Sequence, residues 1–411
     1  MDAQAEASDL ARRMPDRLTA SQINLVHFAL AMGGFAIGTT EFAAMSLLPY
    51  YAATFGISEP EGGYAISAYA LGVVTGAPVI AVLAAKWSRR TLLLTLMMIF
   101  AIFNVMTALS PTYSSMVVFR FLSGFPHGAY FGVAMLVAAS LVPSNARTQA
   151  VGRVLMGLTI ATVIGVPVAT WIGQALGWRS GFGIVGALAA LTVALIWQFV
   201  PYDRPDRTGS MMRELGALKR PLVWLTLAIG AIGYGGLFAV YTYLATTLTD
   251  VTQVPSYVVP IVLAFFGIGM TLGTYVTGRL ADHALMPTVG ALLLWILFWL
   301  AVYPFSVGNI YAITLVVFMI GTGGGLGTAL QTRLMDVAGE AQTLAASLNH
   351  SAFNMANALG PWLGGLAIAG GFGWASTGWV GVGLAIGGLA FWGISILADP
   401  KSLTSTPHHE H

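Results

Sequence analysis

The chain has 411 residues, of which 57% are hydrophobic and only 8% charged, against roughly 25% charged in an ordinary soluble domain. Such a chain is built to dissolve in a bilayer rather than in water. Its formal net charge of +2 is too small to imply a nucleic-acid or acidic partner, and the absence of cysteine excludes disulfides, thiol catalysis and thiolate metal sites.

Residues 1–21 are polar, carry Arg12, Arg13 and Arg17, and lack the apolar core and cleavage site of a signal peptide, so they read as a cytoplasmic tail. Runs of about 20 apolar residues then follow in quick succession, each long enough to cross a hydrocarbon core ~30 Å thick. With charges and turn residues as borders, helices are expected near 22–49, 62–85, 91–110, 113–142, 150–176 and 181–200. A second set is expected near 221–248, 257–280, 287–306, 310–332, 342–370 and 377–398. Two charge-free stretches, between Asp282 and Arg333 and between Glu340 and Asp399, are too long for one span. Each needs a turn, supplied by YPFSVGN at 303–309 and GGFGWASTG at 370–378. The runs far exceed the length of a barrel strand, so the expected fold is an all-α membrane protein of twelve spans.

With both termini inside, 16 of the 18 lysines and arginines fall in inner segments, as the positive-inside rule requires. The connection 201–220 joins spans six and seven on that side and divides the chain into six-helix bundles, 22–200 and 221–398, with a cytoplasmic tail at 399–411. The bundles echo one another at an offset of about 195 residues: Gly177-Trp178 against Gly373-Trp374, residues 120–132 against 317–329, and Gly72 opposite Gly267. Internally repeated bundles with a site between them at the midplane are an architecture of secondary transporters.

Several segments carry a more specific likeness: GTTEFAAMSLLP at 38–49, RFLSGFPHGAYFGVA at 120–134, GVPVATWIGQALGWRSGF at 165–182, GRLADH at 278–283 and LMDVAGEAQTLAASLNHSAFNMANALG at 334–360. Through them the chain resembles the major facilitator superfamily, and within it the twelve-helix drug:proton antiporters similar to arabinose, sugar and purine-nucleoside efflux permeases. The resemblance implies a bacterial inner-membrane protein, monomeric, that exchanges protons for a small solute by alternating access and uses the proton gradient in place of any cofactor. It also implies conformational gating by Arg89, Arg90, Arg279 and Asp282 in two loops and by Gly165 and Pro167 in the fifth span. One departure stands out. AVLAAKWSRR at 81–90 has Ala81 and Ala85 where the family pattern has Gly and Asp, so only the second copy of the loop keeps its acid, Asp282.

Between Arg17 and Glu59 the only charged residue is Glu41. A carboxylate inside a span is costly, faces the bundle interior or a wet cavity, and marks an ion or substrate pathway. Desolvation penalises its charged form, so such a group can carry a proton. Arg120 and His127 in span four are seven residues apart, two turns along one face and about 10 Å apart along the axis. In the resembled family this arginine belongs to a motif associated with proton coupling, and a histidine is common at the position of His127. An ion pair between Glu41 and Arg120 would oppose protonation. The second bundle offers neutral groups instead. Asn349, His350, Asn354 and Asn357 in span eleven, the last three sharing a face, and Tyr234 and Tyr241 in span seven suit a neutral hydrogen-bonding solute. Interhelical hydrogen bonding is the alternative use for such amides, and Tyr64 and Tyr243, near helix ends, suit an interfacial belt.

No His-Glu-x-x-His, Gly-x-Ser-x-Gly or second intramembrane acid accompanies these groups, which argues against an embedded enzyme. The glycines of span ten lack a following Lys-Ser/Thr and read as close packing rather than a phosphate loop. A proton-coupled importer or uniporter on the same fold is the open alternative, because residues do not encode direction.

Overall fold

The computed structural model describes residues 18–83, 87–143, 146–203, 218–338 and 342–403. The tail before residue 18, most of the 201–220 connection, residues 84–86 with the departing Ala85, and the last eight residues lie outside them.

The chain is helical throughout its described length. In the first bundle lie α1 (Ala20–Ser46), α2 (Leu48–Phe55), α3 (Glu59–Gly62), α4 (Tyr64–Leu83), α5 (Arg89–Ala108), α6 (Tyr113–Gly124), α7 (His127–Ser140), α8 (Arg147–Ile160), α9 (Val166–Leu176) and α10 (Trp178–Phe199). In the second are α11 (Pro221–Gly233), α12 (Gly235–Thr246), α13 (Val259–His283), α14 (Leu285–Ser306), α15 (Ile310–Thr322), α16 (Leu326–Ala338), α17 (Gln342–Ala367) and α18 (Ser376–Ala398). Ten helical segments among the described residues are long and apolar enough to cross a membrane. Two further long helices, α4 and α17, pack against each other.

Several expected spans are interrupted rather than continuous. The first breaks at Leu47 ahead of Pro49, and the fourth at Phe125, where Pro126 cannot donate a backbone hydrogen bond. The fifth contains a π-turn at Ala161–Gly165, the seventh breaks at Tyr234, and the tenth passes through a 3-10 turn at Gly323–Gly325. Both inferred turns exist. Asn309 caps α15 through Tyr311 N and Ala312 N, and Gly371 and Gly373 take φ of 86° and 75°, a region closed to most L-residues. Arg179, expected in a loop, sits in the first turn of α10 and donates to Ser110 O at 3.1 Å.

Loops gather at two ends. At the far end, Trp178 Nε1 donates to Thr54 Oγ1 at 3.0 Å, and Thr252 Oγ1 to Val307 O at 2.7 Å. At the terminal end, where α1 starts and α18 stops, the Asp203 carboxylate accepts from the backbone N–H groups of Arg89 and Arg90 at 3.0 and 3.1 Å, and Arg333 pairs with Asp399 at 2.8 Å.

The bundles are held by glycine contacts that repeat with an offset of 197 residues. A Cβ on Gly72 would lie 2.1 Å from Phe121 O, and one on Gly269 would lie 2.3 Å from Phe318 O. Gly76 meets Phe125 O at 2.0 Å and Gly273 meets Thr322 O at 1.9 Å; Gly124 meets Tyr69 O and Gly321 meets Phe266 O at 2.1 and 2.5 Å. The counterpart of Gly72 is therefore Gly269 rather than Gly267, whose virtual Cβ falls on Thr162 O of the other bundle. Small residues at these crossings let backbones approach, which is how helices associate where lipid removes the hydrophobic drive.

Gly273→Ala, with backbone in the way, should destabilise the protein by about 1–3 kcal/mol and lower its thermal unfolding midpoint in detergent. Gly383→Ala, with nothing within 4 Å of the new methyl, should leave the midpoint unchanged or raise it slightly, because alanine is the better helix former.

Candidate functional site

Glu41 lies in the second half of α1, buried, directly after Thr39 and Thr40. Its Oε1 accepts a hydrogen bond from Asn357 Nδ2 of α17 at 3.0 Å, so the lone carboxylate of span one is held by the opposite bundle. Arg120 does not bond to it. The guanidinium, fully buried, donates through NH1 to Thr40 Oγ1 at 3.1 Å, and Thr40 donates in turn to Asn104 Oδ1 of α5 at 2.7 Å. Asn104 is fixed by its own donation to Phe100 O at 2.8 Å. Arg120 also lies over the rings of Tyr69 at 4.2 Å and Phe182 at 5.4 Å. Desolvated cation–π contacts of this kind contribute about 2 kcal/mol. Two of its nitrogens, Nε and NH2, have no hydrogen-bond partner among the described residues.

Tyr69 joins Arg120 to His127. Its ring lies under the guanidinium while its hydroxyl shares a hydrogen bond of 2.9 Å with His127 Nδ1. The two basic residues of span four, separated by the break at Phe125, thus meet on one tyrosine of α4. His127 in turn packs beside Phe131 and His350, with centroids 5.4 and 6.1 Å away, and His350 stacks on Phe131 at 5.0 Å with 4° between planes. The cluster therefore touches α17 at two places, Asn357 through a hydrogen bond and His350 through ring contacts, and draws its other members from α1, α4, α5, α6 and α7.

The remaining polar residues of the second bundle divide. Asn349 donates to Gly327 O at 3.4 Å and Asn354 to His350 O at 3.0 Å, so their amides serve helix packing, although Asn354 Oδ1 and Asn357 Oδ1 have no partner among the described residues. Tyr241 packs against Phe42 and Phe266 with an unpartnered hydroxyl. Tyr234 sits at the helix break against Phe353 and Phe238. Tyr243 is no belt residue: it is fully buried and donates to Pro361 O at 2.8 Å. Tyr64 is half exposed, as a belt residue would be.

The residues assigned to gating are dispersed. Arg89 and Arg90 meet Asp203 through their backbones, and the Arg90 side chain covers Trp197. Arg279 lies over Tyr275 at 4.2 Å, and Asp282 is exposed. Gly165 closes the π-turn where a Cβ would be 2.3 Å from Thr39 Oγ1, and Pro167 stands in the first turn of α9. Sequence reasoning missed Thr40, Asn104 and the bridging role of Tyr69. A single amide inside the apolar run of α5 was the available signal for Asn104.

The sequence profile of the Major Facilitator Superfamily matches residues 30–349. The chain belongs to that superfamily. Its members are membrane-embedded transporters of small molecules. Among relatives of this superfamily member, the inner membrane transport protein YdhP of Escherichia coli K12 is 38% identical over 356 residues, covering 86% of this chain and 91% of that protein. A chloramphenicol resistance protein of Streptomyces lividans is 32% identical, covering 81% and 86%. The crystal structure of a point mutant of the nucleoside transporter NupG superposes with a TM-score of 0.69 at 17% identity, covering 90% of this chain and 99% of that one, a likeness of fold.

The two bundles meet unevenly. Hydrogen bonds join them at the Glu41–Asn357 level and beyond it toward the far end: Ser67 Oγ to Ala358 O at 3.0 Å, Gln174 Nε2 to Ser256 O at 2.9 Å, and Thr246 Oγ1 to Glu59. This conformer is shut at the far end. Glu59 lies outside the spans, and burial pushes its carboxyl up to about 7; the Thr246 hydrogen bond works against that shift and the nearby Asp250 reinforces it. Tyr51 and Tyr243 are its other titratable neighbours.

Because the shut state binds the Glu59 proton more tightly than an open state with an ordinary carboxylate, acidification from about 7 toward 4.5 favours closure, and alkaline conditions penalise it, by at most about tenfold per pH unit. The chain has no cysteine, so a spin-label pair at Ala53 and Val251 can report the far-end distance. It should lengthen from pH 5 to pH 8 in the wild type and lengthen less in Glu59→Gln, which loses the part of the pH dependence that Glu59 supplies.

Proposed function

We propose that this transporter is a proton-coupled antiporter of the bacterial cytoplasmic membrane, exporting a small neutral or amphipathic solute by alternating access. The observation that carries the reading is the bond between Glu41 and Asn357, because it puts a membrane-embedded carboxylate on the contact between the two bundles. A carboxylate there senses whether the bundles touch, and its protonation state changes what that contact can be. Asn357 can serve both states. Its Nδ2 donates to the ionised acid, and its free Oδ1, after an amide flip, accepts from the protonated one.

Arg120 sets the field around the acid without neutralising it directly, since Thr40 holds the guanidinium one residue away. His127, reached through Tyr69, is the relay. The solute site falls between the bundles, where Tyr234, Tyr241, Asn354 and His350 combine aromatic faces with hydrogen-bonding groups. That mixture suits ring-bearing neutral molecules better than ions, and a relative named for chloramphenicol resistance fits the same class. The cations of the terminal end favour the cytoplasm for that end, and a relative named as an inner membrane transport protein supports that membrane. With one proton-carrying acid, one proton per solute is the natural stoichiometry, and the protein works as a monomer without a cofactor.

Solute added to wild-type protein in detergent should release about one proton per molecule bound, in a screen of sugars, nucleosides and chloramphenicol-like aromatics. Glu41→Gln should bind and release none. Asn357→Leu should retain release with a displaced pH profile. Solute-driven alkalinisation outside right-side-out vesicles would signify symport and overturn the export reading.

A further inference from the structure

A groove of about 420 Å³ runs between α1 and α8 near the terminal end, and the transport reading does not use it. Its floor is the crossing at Gly157, where a Cβ would fall 2.0 Å from Ala31 O. Phe28, Met32, Met156 and Ile160 form its apolar walls, and Asn24, His27 and Arg153 form its polar rim. Met156 and Ile160 also begin a row that continues through Ile164, Val168 and Trp171, each about half exposed along one side of α8 and α9. In a protein that spans a bilayer, a continuous apolar exposed row of this kind is lipid-facing, so the groove opens sideways into the membrane.

Arg153 is the only charged residue on its lining. Its NH1 donates to Asn24 Oδ1 at 3.0 Å and approaches His27 Nδ1 at 3.4 Å. His27 Nε2 donates to Ala138 O at 3.3 Å, which leaves Nδ1 as an acceptor. Two neutral acceptors therefore fix the guanidinium in place without cancelling its charge. A fixed cation at the mouth of an apolar trench near the terminal end has the chemistry of a phospholipid site: a phosphate to match the planar donors and an acyl chain to fill the trench.

We propose that this groove binds one phospholipid of the adjoining leaflet with a net anionic headgroup, its phosphate on Arg153 and one chain along Phe28, Met32, Met156 and Ile160. A zwitterionic headgroup is a poorer fit, because the lining offers its ammonium no carboxylate. The leaflet is cytoplasmic if the terminal end is, but the site itself is independent of antiport and of Glu41.

Native mass spectrometry of the full chain, released from nanodiscs of equal phosphatidylglycerol and phosphatidylcholine, provides the test. The wild type should retain one phosphatidylglycerol in preference to phosphatidylcholine. Arg153→Gln should weaken that retention about five- to tenfold, and Ile160→Trp, which fills the trench and keeps the charge, should also displace the lipid. Arg179→Gln, which removes a cation at the far end, should leave phosphatidylglycerol retention unchanged. Equal retention of the two lipids by the wild type, or wild-type retention by Arg153→Gln, would overturn the proposal. Displacement by soluble glycerol phosphate at the same concentration as lipid would also overturn it, by showing an anion site that ignores the chain.

Discussion

Glu41 and Arg120 occupy one buried network without bonding to each other, and their separation by Thr40 governs what the network can do. A direct ion pair at this depth would be hard to break, because removing one partner leaves an uncompensated buried charge at a cost of about 3–5 kcal/mol. A proton could then reach the carboxylate only against that cost. In the arrangement observed, the guanidinium is satisfied in part by a hydroxyl and two aromatic faces, and the carboxylate by an amide. Protonating Glu41 therefore breaks no ion pair. The charge of Arg120 still acts through space on the acid.

The scaffold is symmetric where it packs and asymmetric where it does chemistry. Glycine crossings recur 197 residues apart with matching carbonyl partners, so both bundles use the same close approach of their second and fourth spans. At that offset, Tyr69 has Phe266 as its counterpart, Arg120 becomes Val317 and His127 becomes Gly324. One copy of the repeat keeps the ionisable groups and the other replaces them with packing residues. The first bundle thus holds charge in a rigid, glycine-clasped frame. The second contributes neutral groups that make and break contact with it.

Much of this was legible in the sequence because bilayer physics is severe. A lone acid in an apolar run is conspicuous, and Glu41 was found by that rule, whereas Arg120 stood out as a charge inside span four and took its role from the family resemblance. The spans were legible from length and the turns from glycine and asparagine. What sequence could not supply were partners on other helices. Thr40 and Asn104 are 64 residues apart, and neither is unusual in isolation; only the packing of α1 on α5 makes them a support for Arg120. Nothing in the sequence marks Tyr69, because its two uses, ring and hydroxyl, are satisfied by residues on either side of a helix break. Tyr243 was misread for the converse reason. Its position near a helix end suggested the interface, but α17 covers it and offers the carbonyl of Pro361 to its hydroxyl.

Two of the contacts that α17 makes with the first bundle differ in how they tolerate motion. His350 lies flat on Phe131, and a stacked pair held by dispersion can slide while losing little, since each atomic contact is worth only about 0.1–0.2 kcal/mol and is quickly replaced by its neighbour. The bond from Asn357 to Glu41 is directional, and it is lost once the groups separate beyond about 3.5 Å. A rocking of the bundles about the stacked end would therefore open the Glu41 contact while His350 and Phe131 stayed in touch. The ring pair is suited to be the pivot and the carboxylate to be the switch. That division puts the membrane-embedded carboxylate at the contact most sensitive to which side of the transporter is open.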